Sequence, residues 1–488
     1  MNEKKGGIKF GTDGWRGVIA GDFTFENVRT VSQATADYLL SRGAGGVKGK
    51  QRVVVGYDTR FLSEDFALAA AGVVAGNGLK VILSRSFIPS PALAWSVVNM
   101  KANLGIMITA SHNPPEYNGF KIKAESGSPA DSRITGEIEK YLRKNRPKDS
   151  GGVTTKDLMP GYLEKLRDLV DINLIKRRRL RIVHDPMFGA GRALLSRTAG
   201  SARCRIFSIH DRPDPSFGGL RPEPIGKYLG GLAREVRKRR ADIGVATDGD
   251  ADRIGVVDNN GRYLTPNQVF PLILLYLAEE KKLKGKVVQT ISLGYLGERI
   301  ADFFGLPFQE VPVGFKYVAA SMMAEDVLAG GEESGGFGHR NYIPERDGTL
   351  NSLILLEMLA VKRRKLSLIC KDLQQRFGRS YYDRVDLALE NAGAKKEGFK
   401  KELTEAIAKR IPGKIAGMKV REVRTYDGVK LILGSRGITG GEAWLLLRPS
   451  GTEPLVRVYA EADREYKMKK LLDTGKKIVH DCFRKDKK

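Results

Sequence analysis

A chain of 488 residues exceeds what one hydrophobic core supports, since single cores stop growing near ~250–300 residues, so roughly three or four domains are expected. Hydrophobic residues at 41% and charged residues at 29% give an ordinary soluble globular composition, and no stretch approaches the ~18 uninterrupted apolar residues of a membrane span. Lys and Arg number 83 against 57 Asp and Glu, a net charge of +26 whose field attracts nucleic acid but equally any phosphorylated small molecule.

The N-terminus, MNEKKGGIKF, has no apolar run and does not read as a signal peptide, so a cytoplasmic protein without membrane association is expected. Short apolar strands then alternate with helical patterns. A strand at 51–56 is followed by a helix at 64–75 and by strands at 80–83 and 104–109. The alternation restarts at 181–184, 241–247 and 286–291, which marks successive α/β units of similar plan. The apolar run at 269–278 is short and reads as a buried helix. Linkers fall at 146–154, near 259–265 and near 377–382. Beyond them, helical patterns at 397–408 and 466–483 flank strands at 420–425, 428–433, 443–447 and 456–460, an α+β unit with an antiparallel sheet. The expected domains are 1–152, 153–262, 263–378 and 379–488. Cys204, Cys370 and Cys482 show neither disulfide nor metal spacing and fit a reducing compartment. Basic clusters at 176–179 and 237–240 carry no zinc-finger or RNP-like motif, so a solvated basic surface with a steering effect is favoured over specific nucleic-acid binding.

Four loops carry chemistry. TASHNP (109–114), extended as PEYNGFKI to Ile122, places Ser111 just beyond a strand's carboxyl end, where open α/β sheets hold ligands. Small Ala110 and the turn former Asn113 are expected to leave its hydroxyl accessible, and adjacent His112 does not make a Ser-His hydrolase without a nucleophile elbow. DGDADR (248–253) sets Asp248, Asp250 and Asp252 at alternating positions, able to converge on one hard cation. Arg253 and Asn259 stand where an EF-hand needs Gly and Glu, so Mg²⁺ is the better fit. GGEESGG (330–336) puts Glu332 and Ser334 on one side of an extended glycine-rich loop, where a carboxylate can accept from two sugar hydroxyls. RPSGTEP (448–454) flanks Ser450, Gly451 and Thr452 with Arg448 and Arg457, a nest for a phosphate dianion.

These four loops and the opening FGTDGWRG (10–17) resemble, in order and spacing, the signature segments of the α-D-phosphohexomutase superfamily, the phosphoglucomutases and phosphomannomutases. The resemblance spans essentially the whole chain. It implies three α/β/α domains with mixed sheets and a smaller fourth domain around a central cleft. It implies that Ser111 carries a phosphoryl group in transit, with Mg²⁺ held by that phosphate and Asp248, Asp250 and Asp252. Lys121 and Arg16 would sit beside the phosphoserine, Lys316 and Arg253 would face the substrate, and Arg448, Ser450, Gly451, Thr452 and Arg457 would hold its distal phosphate. The implied reaction exchanges hexose 1-phosphate and hexose 6-phosphate through a bisphosphorylated sugar such as glucose 1,6-bisphosphate, by a monomer or homodimer. The GEESGG form is closer to phosphoglucomutases, so glucose is favoured, with a phosphomannomutase or a dual-specificity enzyme as the alternative and glucosamine and pentose phosphates behind. Some relatives carry a histidine where this chain has Gly336; His339, His112 and Lys121 are then the candidates for proton transfer. Two other classes stay open on the residues, an enzyme with an aspartyl nucleophile and a non-catalytic phosphosugar-binding protein.

Overall fold

Residues 7–11, 13–43, 51–149, 152–389, 399–435, 441–450 and 455–484 are described by the computed structural model. Two units emerge: Met1–Leu264 with Gly314–Ser367, and Thr265–Val313 with Leu368–Lys488.

In the first unit, strands Leu104–Ile108, Arg52–Tyr57, Lys80–Ser84 and Thr154–Lys156 run parallel in that spatial order. Tyr117–Ala124 and then Trp15–Val18 extend the sheet antiparallel beside Leu104–Ile108. Helices Phe25–Gly43, Ser63–Gly76, Ser90–Asn99 and Ser132–Tyr141 complete this six-stranded layer. Parallel strands covered on both faces are read as unbroken apolar runs, and Val53, Val54 and Val55 are all fully buried. Trp15 stacks on Phe23, and Phe66 meets Phe23 edge to face, each pair at 4.8 Å between centroids and adding about 0.5–1.5 kcal/mol beyond burial. Tyr117–Ala124 is a buried strand where the sequence reads as loop. Its interior ammonium groups hid it: Lys121 and Lys123 are both fully buried, and both are paired to carboxylates.

A second sheet of the same unit has the order Tyr263–Leu264, Ile254–Asp258, Ile243–Thr247, Arg181–Asp185, Arg205–Ser208. The last three are parallel, and Ile254–Asp258 returns antiparallel from the loop that begins at Asp248. The hairpin Val327–Gly331 and Phe337–His339 and the helices Phe315–Ala324 and Gly348–Lys362 also belong here. Asp347 caps the last helix by accepting from the Leu350 amide at 2.8 Å, which satisfies one of the orphan N–H groups of the first turn.

The second unit holds the parallel pair Lys286–Thr290 and Phe308–Val311, with helices Pro266–Glu279 and Leu296–Phe303. The first of these helices is the expected apolar segment, buried from Pro266 to Ala278. A separate antiparallel sheet runs Tyr381–Ala388, Leu455–Ala462, Ala443–Pro449, Val429–Leu433, Met418–Arg424, Lys414–Ile415, backed by Phe399–Ala408 and Glu465–Arg484. Tyr381–Ala388 starts inside the expected linker; it is an edge strand with half-exposed and exposed residues, so no apolar run announced it. Residues 397 and 398 of the expected helix lie outside the described residues. No helix among the described residues is long and apolar enough to cross a membrane.

Candidate active site

Ser111 follows the strand Leu104–Ile108 and takes a left-handed backbone, φ 55°. That conformation costs an L-residue about 1 kcal/mol or more and persists only when its surroundings enforce it. Arg60 is the enforcing group. Its Nη2 donates to the carbonyls of Ser111 (2.7 Å) and Asn113 (2.6 Å), and its Nη1 to those of Pro114 (2.8 Å) and Tyr117 (2.9 Å). Its Nε lies 3.2 Å from Asp58 Oδ2, and the Phe217 ring sits 4.9 Å beneath the guanidinium. Thr109 Oγ1 accepts from the Ser111 amide at 2.9 Å and donates to Asp58 at 2.6 Å, which pins the loop from the other side.

The Ser111 hydroxyl is not open to solvent, contrary to the sequence expectation: the residue is 1% exposed and its Oγ donates to Asp248 Oδ2 at 2.9 Å. The DGDADR loop covers it. A Cβ on Gly249 would fall 2.4 Å from the Ser111 carbonyl, so only glycine permits this approach. His112 Nδ1 lies 3.3 Å from the same Oγ. Burial, and then the facing cations Arg253 and Arg16, drive the His112 pKa well below the usual imidazole range, so the ring is neutral.

Asp248, Asp250 and Asp252 are fully buried, and their carboxylate oxygens lie within 4.8 Å of one another. Burial first, then repulsion from Asp252 and Asp250, raises Asp248 well above the ordinary carboxylate range. Asp250 Oδ1 and Asp252 Oδ1 are buried without a hydrogen-bond partner. Orphaned hard oxygens converging on one point fit a divalent oxygen-seeking cation, so this triad can bind a metal.

Cations surround the triad. Lys121 Nζ pairs with Asp13 and Asp250 at 2.8 Å each and with Asp252 at 3.4 Å. Burial works against that ammonium, yet the three carboxylates outweigh it and hold its proton more tightly than usual. Ser90 Oγ donates to Asp250 at 2.5 Å, and Arg253 Nε lies 3.7 Å from Asp252 and 4.0 Å from Asp248. Arg16 Nη1 donates to Asn113 Oδ1 at 2.9 Å, on the serine loop.

Glu332 and Ser334 sit in a tight turn rather than an extended loop: the Gly335 amide donates to the Glu332 carbonyl at 3.2 Å, and Gly335 has φ 86°. Burial raises the Glu332 pKa to about 7, against the pull of Arg346. Ser334 Oγ is buried with no partner. Lys316, in the first turn of Phe315–Ala324, is not drawn into the serine–aspartate cluster among the described residues; its ammonium lies 5.2 Å from the Tyr317 ring centre.

The sequence reading missed Arg60, Asp13 and Arg346. Arg346 Nη2 meets Asp252 at 2.7 Å and Asp13 at 2.9 Å, while Nη1 meets Glu332 at 3.3 Å, so one guanidinium ties the DGDADR loop, the N-terminal segment and the GGEESGG loop together. It also explains Gly336. A Cβ there would lie 2.3 Å from Arg346 Cδ, so Arg346 takes the space that a side chain at 336 would need. His339 serves elsewhere: it is buried, bonded to Asn351 at 2.6 Å, and burial lowers its pKa to about 4.

In the second unit, Arg448 and Arg457 are direct cross-strand partners. Arg448 Nε donates to Asp427 at 2.9 Å, and Arg457 Nε lies 3.9 Å from Asp386, so acidic neighbours offset the like charges. The Ser450 amide donates to the Leu455 carbonyl at 2.9 Å; Gly451 and Thr452 lie outside the described residues. Asp427, also unforeseen, accepts from the Val313 amide at 2.8 Å.

A buried serine under an acidic triad ringed by fixed cations defines a site for handling phosphoryl groups. Comparison with known proteins gives the family. Residues 7–149, 160–261 and 265–377 match the phosphoglucomutase/phosphomannomutase alpha/beta/alpha domains I, II and III, and 397–474 match its C-terminal domain. A Thermococcus kodakarensis phosphoglucomutase/phosphomannomutase is 30% identical over 483 residues, 98% of this chain and 100% of that one. A Sulfurisphaera tokodaii phosphoglucosamine/phosphogalactosamine mutase is also 30% identical, over 97% of this chain and 99% of that one. A crystal structure from Thermus thermophilus, assigned to the phosphomannomutases, superposes with TM-score 0.84 at 35% identity, covering 97% of this chain and 99% of that one. The chain belongs to the phosphoglucomutase/phosphomannomutase family of phosphohexomutases, and it is a mutase with three α/β/α domains and a C-terminal α+β domain.

Proposed function

We propose that this protein interconverts glucose 1-phosphate and glucose 6-phosphate through a phosphorylated Ser111 and glucose 1,6-bisphosphate. The single observation that carries the reading is Ser111 Oγ donating to Asp248 at 2.9 Å, a nucleophile set into a metal-binding triad. Mg²⁺ held by Asp248, Asp250 and Asp252 would supply neutralising charge to the phosphoryl oxygens. The chain's own groups do the rest. When Ser111 Oγ bonds to phosphorus and the bond from phosphorus to the sugar oxygen breaks, the serine proton passes to neutral His112, whose Nδ1 lies 3.3 Å away, and on to the freed sugar oxygen; in the reverse transfer it runs the other way. Lys121 acts as a fixed positive charge rather than a base, because the carboxylates around it keep it protonated. Arg16 and Arg253 add positive charge at the serine loop. Glu332, with a pKa of about 7, and the unpartnered Ser334 read sugar hydroxyls in either orientation of the intermediate. Lys316 contacts the sugar, and Arg448, Ser450, Gly451, Thr452 and Arg457 clamp its distal phosphate. The domains run 1–152, 153–262, 263–378 and 379–488, and the enzyme works in the cytoplasm as a monomer or homodimer.

A second reading, an amino-sugar phosphate as substrate, is favoured by the relative named phosphoglucosamine/phosphogalactosamine mutase. Initial rates on glucose 1-phosphate, mannose 1-phosphate and glucosamine 1-phosphate, with Mg²⁺ and Ser111→Ala as control, separate the readings. Fastest Ser111-dependent turnover of the glucose compound is expected. A preference for glucosamine 1-phosphate overturns the glucose assignment, and full activity of Ser111→Ala overturns the mechanism.

A further inference from the structure

The sheet that carries the aspartate triad at its carboxyl end has a second, differently built face at its amino end. Arg181–Asp185, Arg205–Ser208 and Ile243–Thr247 are parallel, so the connections that enter them emerge together, opposite the DGDADR loop. Each connection is basic. Exposed Arg177 and Arg179 close the helix Ile172–Arg177 and lead into exposed Arg181. Exposed Arg203 and Arg205 lead into the edge strand. The helix Gly230–Arg239 ends in Arg237, Lys238 and Arg239, followed by exposed Arg240.

Two more segments reach the same end. Ile254–Asp258 runs antiparallel and turns through exposed Arg262, and the Gly261 carbonyl in that turn accepts from Arg237 at 3.4 Å. Helix Gly348–Lys362 starts beside the triad loop, its Gly348 amide donating to the Ala251 carbonyl at 3.0 Å, and finishes at this far end in exposed Arg363, Arg364 and Lys365. The anchor is Ser367, whose amide donates to Asn259 Oδ1 at 2.9 Å. The guanidinium groups of Arg181, Arg205 and Arg239 all lie over one ring, Phe207, at 5.8, 5.3 and 4.5 Å from its centre. The carboxylates that reach this end are engaged: Glu235 with Arg239 at 2.8 Å, Asp242 with the Arg181 amide at 2.8 Å, and Asp258 with the amides of its own turn.

We propose that this face binds the phosphodiester backbone of nucleic acid without reading its sequence. About a dozen of the chain's 83 Lys and Arg residues gather, exposed, on this one face. Five strands give four spacings of about 4.8 Å, a face roughly 19 Å wide. Duplex nucleic acid carries one charge per ~1.7 Å, about 11 charges over that width, which matches roughly a dozen exposed cations. Arginine dominates, and its planar fork suits phosphate oxygens. A lipid surface fits less well. Leu180, Cys204, Ala241 and Leu366, which lie among these cations, are buried, and exposed Ala202 and Val361 beside them offer little apolar area to insert.

The test is fluorescence anisotropy of a labelled mixed-sequence duplex of about 24 base pairs, titrated with the full-length protein between about 50 and 200 mM NaCl. Wild-type protein should bind with a log–log salt slope steeper than about −4, and Arg177→Gln/Arg179→Gln/Arg203→Gln/Lys365→Gln should flatten that slope by about 3.6, since each phosphate contact contributes about 0.9. Turnover of hexose phosphates by this variant should stay at the wild-type rate, which shows that it folds. Lys80→Gln/Lys101→Gln/Arg133→Gln/Lys140→Gln, changed in the first sheet's domain, should bind as wild type. Equal loss in both quadruple variants, no duplex binding at the lowest salt, or binding to phosphatidylserine vesicles but not to the duplex would each overturn the proposal.

Discussion

Arg60→Lys tests whether the serine loop is held from behind. The arginine is 3% exposed, and its two terminal nitrogens supply four hydrogen bonds to four loop carbonyls. A lysine offers three donors from one nitrogen and cannot span that set, so at least one carbonyl, and by geometry about two, lose their partner. Each buried acceptor left unpaired costs about 1–3 kcal/mol, so the loop in its present shape is destabilised by roughly 2–6 kcal/mol. With that grip weakened, the strain of φ 55° at Ser111 is no longer offset, and the serine should swing out of line with Asp248. Displacement of a reacting atom by about 1 Å costs roughly 100-fold in rate, so kcat on hexose phosphate should fall by about two orders of magnitude. KM should change little, because Arg60 touches only Asp58, Phe217 and backbone. Steady-state kinetics beside a thermal melt decide it. A near-wild-type kcat, or a loss wholly accounted for by unfolding at the assay temperature, would refute the argument.

Chelation with EDTA should abolish turnover and Mg²⁺ should restore it, while the near-ultraviolet dichroism stays unchanged, because Lys121, Arg346 and Arg253 already hold the three carboxylates in place. Asp427→Asn should raise KM for sugar phosphate several-fold with a smaller change in kcat, since Asp427 aims Arg448 and fixes Val313; an unchanged KM would count against it. Burial depresses His184 to a pKa of about 4, below its unfolded value, so its contribution is present above about pH 6.5 and lost as pH falls towards 4. By pH 5 that amounts to about 2 kcal/mol, so the urea midpoint of His184→Gln should fall less between pH 7 and pH 5 than that of the wild type. Parallel curves would show that His184 does not set the acid limb.

The aspartate cluster was legible because it is contiguous: Asp248, Asp250 and Asp252, which converge in space, lie within one turn of chain. The parallel strands were legible because burial on both faces demands unbroken apolar runs. What escaped lies far apart in sequence. Arg60 meets a loop 51 residues on, and Arg346 meets Asp13 across 333 residues, so neither carries a local pattern. Tyr117–Ala124 escaped for a related reason: two lysines argue against a buried strand until their distant carboxylates are known. Gly336 looked like a missing catalytic side chain, and its space turns out to be filled by Arg346.

Ser111 is wound the wrong way for an L-amino acid, and the fold spends the grip of Arg60 to keep it there. Glycine has no such objection to φ 55°. A Ser111→Gly chain should therefore melt higher than a Ser111→Ala chain while being just as inert, so reactivity and durability pull in opposite directions at this one residue. Equal melting temperatures for the two would mean that the loop carries no tension. A positive difference would measure how far the protein has traded robustness for a hydroxyl aimed at its aspartate triad.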